Sequence, residues 1–400
     1  MTILQDSESQ EKSFHSPKWM FGSGLGETTH ETVVTRADQA LYYVIGALLV
    51  LGLVFVYSAS AHQALEDSGN SLAILFKQIL ATGIGLTAMT VLSGVNFQIW
   101  RKLAQPMALC VIGLLLLTMV VGTTANGSER WIPLPGGFQM QPSDLAKIAA
   151  VTLMAQSMAG AQKRDRLLSL NLMINLMLIG AMIFLVYQQP NLSVSVILAA
   201  LTFVMIMMGG MPLYILLAIP PVLWAVWHKI RHTEYQWRRI TGWLEPWKDP
   251  QDTGYNLIQS YYAIGSGGFF GVGLFHSVQK LYYLPFQHTD FIFAVICEEL
   301  GFCGAMMVLG LFGMLAWRGF SIALHCPSPF GQMLAFGITF SITLQALINI
   351  AVTVGVLPVT GVTLPLISYG GTSMIVTLGM LGILLNISRY KLAPRVLEKV

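Results

Sequence analysis

Apolar stretches of roughly 17 to 25 residues, the length an α-helix needs to cross the hydrocarbon core of a bilayer, recur along this chain and dictate what it can become. Ten can be drawn, at about 40–61, 73–95, 103–122, 143–160, 169–188, 191–209, 211–228, 290–317, 331–355 and 364–388. The expected fold is therefore all-α: a polytopic integral membrane protein of about ten transmembrane helices, with a long extracytoplasmic loop at 229–290 between spans seven and eight. Composition agrees, since 54% hydrophobic and 10% charged residues with a mean hydropathy of +0.65 lie far outside soluble-domain usage. The fourth span is weak by hydropathy alone, because Asp144, Lys147, Gln156 and Ser157 sit in it.

Residues 1–38 are rich in Ser, Glu, Thr and Gly and lack the apolar run of a signal peptide, so a disordered cytoplasmic tail is expected there. The membrane domain takes 39–390, and 391–400 is expected to be a cytoplasmic C-terminal tail. A net charge of +3 is too small to argue for nucleic acid. Cys110, Cys297, Cys303 and Cys326 show neither disulfide nor zinc spacing. Placing the N-terminus inside puts 13 of the 22 Lys and Arg on the cytoplasmic side. Six of the other nine lie in the 229–290 loop, which is long enough to escape the charge rule. Both termini are thus read as cytoplasmic.

The long loop alternates Trp237, Trp243, Trp247, Tyr255, Tyr261 and Tyr262 with Arg238, Arg239, Lys248 and Asp252, which suits a surface lying among lipid headgroups. A merely structural interfacial loop fits equally. Its glycines from Gly265 to Gly273 match no nucleotide-binding pattern and suggest flexibility beside a substrate entrance.

Ionisable groups at membrane depth are costly and usually face the protein interior or a wet cavity. Arg130 and Trp131 precede Gln141-Pro142-Ser143-Asp144, a helix-start pattern that sets Asp144 and Lys147 on one helical face. An ion pair and a ligand role are equally open for that pair. Gln188-Gln189-Pro190-Asn191 reads first as a tight outer turn. Asp290 follows His288 and Thr289 at the head of span eight, where a cap alone would explain it. Capping does not explain Glu298 and Glu299, two turns deeper, for which Lys147 is one available partner. Two prolines and a Gly pair around Ser368 and Tyr369 interrupt the last span, as backbone lining a cavity would or as a simple kink would.

Taken together these residues resemble the SEDS family (FtsW/RodA) of integral-membrane peptidoglycan glycosyltransferases. The matching segments are Arg130-Trp131, Gln141 to Asp144 with Lys147, Pro246-Trp247-Lys248-Asp249-Pro250, Gly254-Tyr255, Gln259-Ser260, Ser277 to Leu281, Tyr283-Leu284-Pro285, His288 to Ala294, Glu298 to Gly301, and Leu357-Pro358 through Gly371. They extend over about 40–390. The Ser-Val-Gln-Lys-Leu run and the Thr363 to Gly371 segment look more like the division branch of the family than its elongation branch. Three positions depart from the pattern: Asn191 where Asp is usual, Cys297 where Gly is common, and Glu129 where a small residue is common.

The resemblance implies a ten-span polymerase that joins lipid II through β-1,4 linkages at the outer face of the cytoplasmic membrane, at the division septum, releasing undecaprenyl pyrophosphate. It makes Asp290 the expected general base. Arg130 and Lys147, then Arg239 and Lys280, are the expected cations for the pyrophosphate, and His288, Thr289, Asn191, Ser368 and Tyr369 further substrate contacts. Asp144 and Glu298 are expected in support, Glu298 by orienting the site or pairing with Lys147. No cofactor or metal ligand set is assigned, and a divalent cation at the pyrophosphate is left open. Expected partners are a cognate class B penicillin-binding protein transpeptidase, other division proteins and membrane lipid. The competing readings are a lipid II flippase and a non-catalytic division scaffold.

Overall fold

The computed structural model describes residues 32–125, 128–134, 138–164, 170–189, 191–210, 227–228, 231–280 and 284–392. The expected tail over 1–31, most of span seven at 211–228 and the end of the C-terminal tail lie outside the described residues. The other nine expected spans fall on helices: α1 (Gln39–Ser68), α2 (Ala73–Gly94), α3 (Gln98–Val121), α4 (Pro142–Arg164), α5 (Leu170–Gln188), α6 (Leu192–Met208), α9 (Ile292–His325), α10 (Pro329–Thr353) and α11 (Gly371–Ile387). Among the described helices, α1, α2, α3, α5, α9 and α10 are long and apolar enough to cross a membrane. The long loop between spans seven and eight carries two short helices, α7 (Glu234–Leu244) and α8 (Tyr255–Gly267).

Helix α4 shows why the fourth span is weakly hydropathic. It is packed between α3, α5, α6 and α10, and Ala146, Ala149, Ala150, Val151, Leu153, Met154 and Ala155 are wholly buried. A helix that meets protein on all sides needs no lipid-like surface, and its polar groups find partners within. On α5, the Asn175 Nδ2 donates to Gln156 Oε1 at 3.0 Å and Ser157 Oγ at 2.8 Å. Helices α2 and α11 lie along one another through small residues: a Cβ on Gly382 would stand 2.5 Å from the Met89 carbonyl oxygen, and one on Gly85 2.6 Å from Leu378 Cδ1. Close backbone approach of this kind is how helices associate where lipid supplies no hydrophobic drive.

Small sheets not expected from the all-helical reading close the two ends. Strand β1 (Thr32–Val34) pairs antiparallel with β5 (Tyr390–Leu392), bringing both ends of the domain together. Asp38 caps α1, its Oδ1 accepting from Leu41 N at 3.0 Å, and pairs with Arg318 near the end of α9. At the opposite end β2 (Thr123–Ala125), β3 (Ser128–Leu134) and β4 (Phe138–Met140) form an antiparallel sheet in that order over the start of α4.

Two expected spans differ in outline. The last helix begins at Gly371 instead of 364, because residues 364–370 form turns in which Leu366 takes φ 65° and Ser368 Oγ accepts from Leu364 N at 2.8 Å. Helix α9 is broken at Gly301 (φ 66°, ψ −159°), and the glycine run enters that break. Val272 N donates to Glu298 O at 2.9 Å, Gly273 N to Glu299 O at 3.1 Å and Phe302 N to Gly268 O at 3.0 Å. A Cβ on Gly267 would stand 1.9 Å from the Cys297 carbonyl oxygen and one on Gly271 2.1 Å from that of Glu299. These glycines are therefore required for close packing, a correction to the expectation of flexibility.

Candidate active site

The segment that carries Asp290 is a series of turns between α8 and α9, and it is held from several sides. Gln287 Nε2 donates to Ala59 O on α1 at 2.8 Å, and Tyr369 N donates to His288 O at 2.9 Å. Ser368 Oγ donates to Thr289 O at 2.6 Å. Asn349 on α10 donates to Asp290 O at 2.7 Å. Asp290 is thereby fixed just before the first turn of α9, facing a cavity of about 680 Å³.

Cations ring that cavity. Arg130 enters from β3, Arg239 from α7, Lys77 from α2 and Lys147 from α4, alongside Asp144, His288, Thr289 and Tyr369. Arg130 Nε donates to Gln189 O at 3.0 Å, and Arg239 Nη1 to Val359 O at 3.5 Å. Lys147 is buried, 2.8 Å from Asp144 Oδ1 and 2.7 Å from Gln345 Oε1. Helix α7 is docked through Trp243, whose Nε1 donates to Gly355 O at 2.8 Å. Burial pushes the Asp290 carboxyl up to about 7, while Arg239 and then Arg130 pull it back toward the carboxylate range. An acid so balanced changes protonation near neutral pH and is suited to taking a proton from a hydroxyl.

Three expected substrate contacts lie elsewhere. Lys280 is ion-paired at 2.9 Å to Glu299, which also accepts from Ser58 Oγ at 2.6 Å, so its charge serves the packing of the loop against α9 and α1. Asn191 is buried as the cap of α6, its Nδ2 3.4 Å from Ser143 Oγ. Ser368 is spent on the two backbone bonds given above. Glu298 neither reaches the cavity nor pairs with Lys147. It accepts from Ser277 Oγ and from Val278 N at 2.9 Å, securing the far side of the glycine segment. Lys147 is satisfied within one turn by Asp144, which the sequence already placed on the same face.

Other groups to which no motif points line the cavity. Lys77, Asn256 and Gln345 all face the cavity, and Asn349 sits behind Asp290. Lys77 carried a signal, being the one cation within the 73–95 stretch. Gln345 and Asn349 are four apart in span nine and so share a helical face, but nothing in the local pattern said which way it pointed. Among the described residues no three His, Cys, Asp or Glu side chains gather as a metal site.

A polytopic membrane protein with a carboxylate in a cation-ringed cavity is equipped to hold an anionic group beside a proton acceptor. Comparison with known proteins narrows this. Residues 39–393 match the family model of FtsW, RodA and SpoVE, described as cell cycle protein, and the chain belongs to that family. It is 39% identical over 365 residues to a probable peptidoglycan glycosyltransferase FtsW of Trichlorobacter lovleyi, covering 89% of this chain and 94% of that one. Against stage V sporulation protein E of Bacillus subtilis it is 38% identical over 363 residues, covering 90% and 99%. A solved structure concerned with coordination of polymerization and crosslinking by a peptidoglycan synthase complex superposes with a TM-score of 0.73 at 32% identity, covering 88% and 98%. The rod shape determining protein RodA of Thermus thermophilus gives 0.65 at 29% identity, covering 88% and 97%.

Proposed function

We infer that this chain is a peptidoglycan glycosyltransferase of cell division that polymerises lipid II into β-1,4-linked glycan. The family relationship supports the activity, and the observation that carries the mechanism is Asp290 recessed among Arg239, Arg130 and two lysines. An acceptor sugar hydroxyl must lose its proton as its oxygen bonds to the anomeric carbon, and Asp290 takes it as general base. The bond that breaks releases undecaprenyl pyrophosphate, whose growing charge is met by Arg130 and Arg239, with Lys147 beneath and Lys77 at the rim. One displacement with one base inverts the anomeric configuration, converting an α-linked pyrophosphate into a β-glycoside. His288, Thr289 and Tyr369 shape the wall on which the sugars rest.

The protein is a multi-pass membrane protein. We place the Asp290 cavity at the outer face of the bacterial cytoplasmic membrane and both termini inside, at the division septum. A crosslinking partner, the class B penicillin-binding transpeptidase, fits a related structure that couples polymerization to crosslinking. The test is glycan formation from lipid II by the protein with its transpeptidase, compared with Asp290→Asn at equal folded amounts. Polymer from the native complex and none from the variant supports the reading. No polymer from either, with lipid II crossing proteoliposome membranes, replaces it with a flippase, and neither activity leaves a scaffold.

A further inference from the structure

Asp290 lies in no regular element, since it precedes α9 and follows the turn at Phe286, which takes φ 57°. Its position must be imposed from outside. Asn349, 1% exposed on α10, spends both hydrogens of one amide on carbonyls of two different segments, Asp290 O at 2.7 Å and Val362 O at 2.7 Å. One turn earlier on the same face, Gln345 accepts from Lys147 Nζ at 2.7 Å and donates to Thr363 O at 2.9 Å. Two successive amides on a rigid helix thus hold two successive carbonyls of the 362–363 segment, and each carries one charged residue of the site: Lys147 through Gln345, Asp290 through Asn349. Asn349 Oδ1 is buried with no hydrogen-bond partner among the described residues. A buried unmet acceptor is a cost an apolar side chain would avoid, so the two donors are what an amide supplies here.

We propose that Asn349 is a positioning residue for the transfer, holding the Asp290 backbone at a set distance from the Lys147 cation through the shared face of α10. This rests on Asp290 being the base. A base misplaced by about 1 Å can lose on the order of 100-fold in rate. The charged and titratable groups around Asp290 come from every neighbouring element: Arg239 on α7, Arg130 on β3, Asp144 and Lys147 on α4, Lys77 on α2, Tyr369 in the 357–370 segment and His288 in its own loop. When the amide is lost, the Asp290 turn relaxes toward the cavity, and the carboxylate gains water and becomes a weaker base.

The experiment measures lipid II polymerisation by the full-length protein with its transpeptidase from pH 5 to 9, for the native chain, Asn349→Leu, Asn349→Ser and Asp290→Asn, with thermal melting of each. Asn349→Leu keeps the branched outline, though its methyls are bulkier, and removes both donors. It is expected to lower kcat by roughly 30- to 100-fold with KM within about threefold, and to move the acidic limb of the rate profile about one unit lower. Asn349→Ser keeps one donor and is expected to recover part of the rate and of the limb position. Native kcat in Asn349→Leu, or a loss with the acidic limb unmoved, overturns the proposal. If Asn349→Leu does not fold, Asn349→Ser decides by the same two readings. An active Asp290→Asn protein overturns the base assignment itself, whereas an inactive one beside a native-like Asn349→Leu overturns only the positioning role.

Discussion

Lys280 Nζ stands 2.9 Å from Glu299 Oε1, an ion pair that ties the long loop to α9 where that helix breaks. Glu299 is fully buried, and Ser58 of α1 donates to the same oxygen at 2.6 Å. Removing Lys280 alone leaves a buried carboxylate without its counter-charge. Lys280→Met is expected to cost about 3 kcal/mol, and Lys280→Met with Glu299→Gln to recover much of it. Thermal melting in detergent checks this, and additive losses in the double variant would show that the pair is not coupled.

Gly301 and Gly310 lie on the same helix and predict opposite outcomes. A Cβ on Gly301 would meet Gly271 N at 2.4 Å in a backbone conformation that side chains avoid, whereas one on Gly310 would meet nothing within 4 Å. Gly301→Ala should therefore destabilise by about 2 kcal/mol or more, and Gly310→Ala should be neutral or stabilising by up to about 1 kcal/mol. Equal melting temperatures for the two would contradict the backbone pairing across the break.

Asp290 predicts opposite pH trends for rate and for stability. Its carboxyl is raised to about 7, so the base form, and with it kcat, grows as pH rises through that value. Because the folded value lies above the unfolded one, the group's contribution to stability is complete below the ordinary carboxylate value and is lost as pH rises through about 7. Asp290→Asn should abolish polymerisation and melt higher than the native chain at pH 8, with the difference shrinking as pH falls and vanishing only below about pH 4. A pH-independent difference would remove this account of the carboxyl.

Arg239 and Arg130 hold the same carboxyl down, Arg239 with the larger effect. Arg239→Gln should move the acidic limb of the rate profile upward, the reverse of Asn349→Leu, and lower kcat/KM by roughly 10- to 100-fold through loss of pyrophosphate stabilisation. A limb that stays in place would show that this guanidinium does not act on Asp290.

Lys77 lines the cavity from an exposed position on α2. Lys77→Gln should raise KM for lipid II by about three- to tenfold with little change in kcat, since a cation at the rim meets bound and reacting substrate alike. A fall in kcat at constant KM would move Lys77 into the transition-state contacts.

Much of this protein was legible in the chain because the bilayer imposes a length on each span, and length survives without knowledge of neighbours. The membrane fold, the helix start at Pro142-Ser143-Asp144, the Asp144 and Lys147 face and the break before the last helix all follow from residues near one another in sequence. So does the interest of Asp290, a carboxylate at the head of an apolar span. What tertiary structure alone decided is which distant segments share a wall. Lys280 and Arg239 look alike as loop cations, yet the fold gives one to Glu299 and the other to the cavity. Gly267 and Gly271, which read locally as flexible, are instead pressed against backbone, because the carbonyls they approach come from the broken helix about 30 residues later. Asn349 shows no local signal at all, since its two carbonyl partners are 59 and 13 residues away and meet only when α9, α10 and the 357–370 segment converge. Periodicity and local sequence encode what a residue is and which neighbours share its face, while the partner of a buried charge is settled by packing.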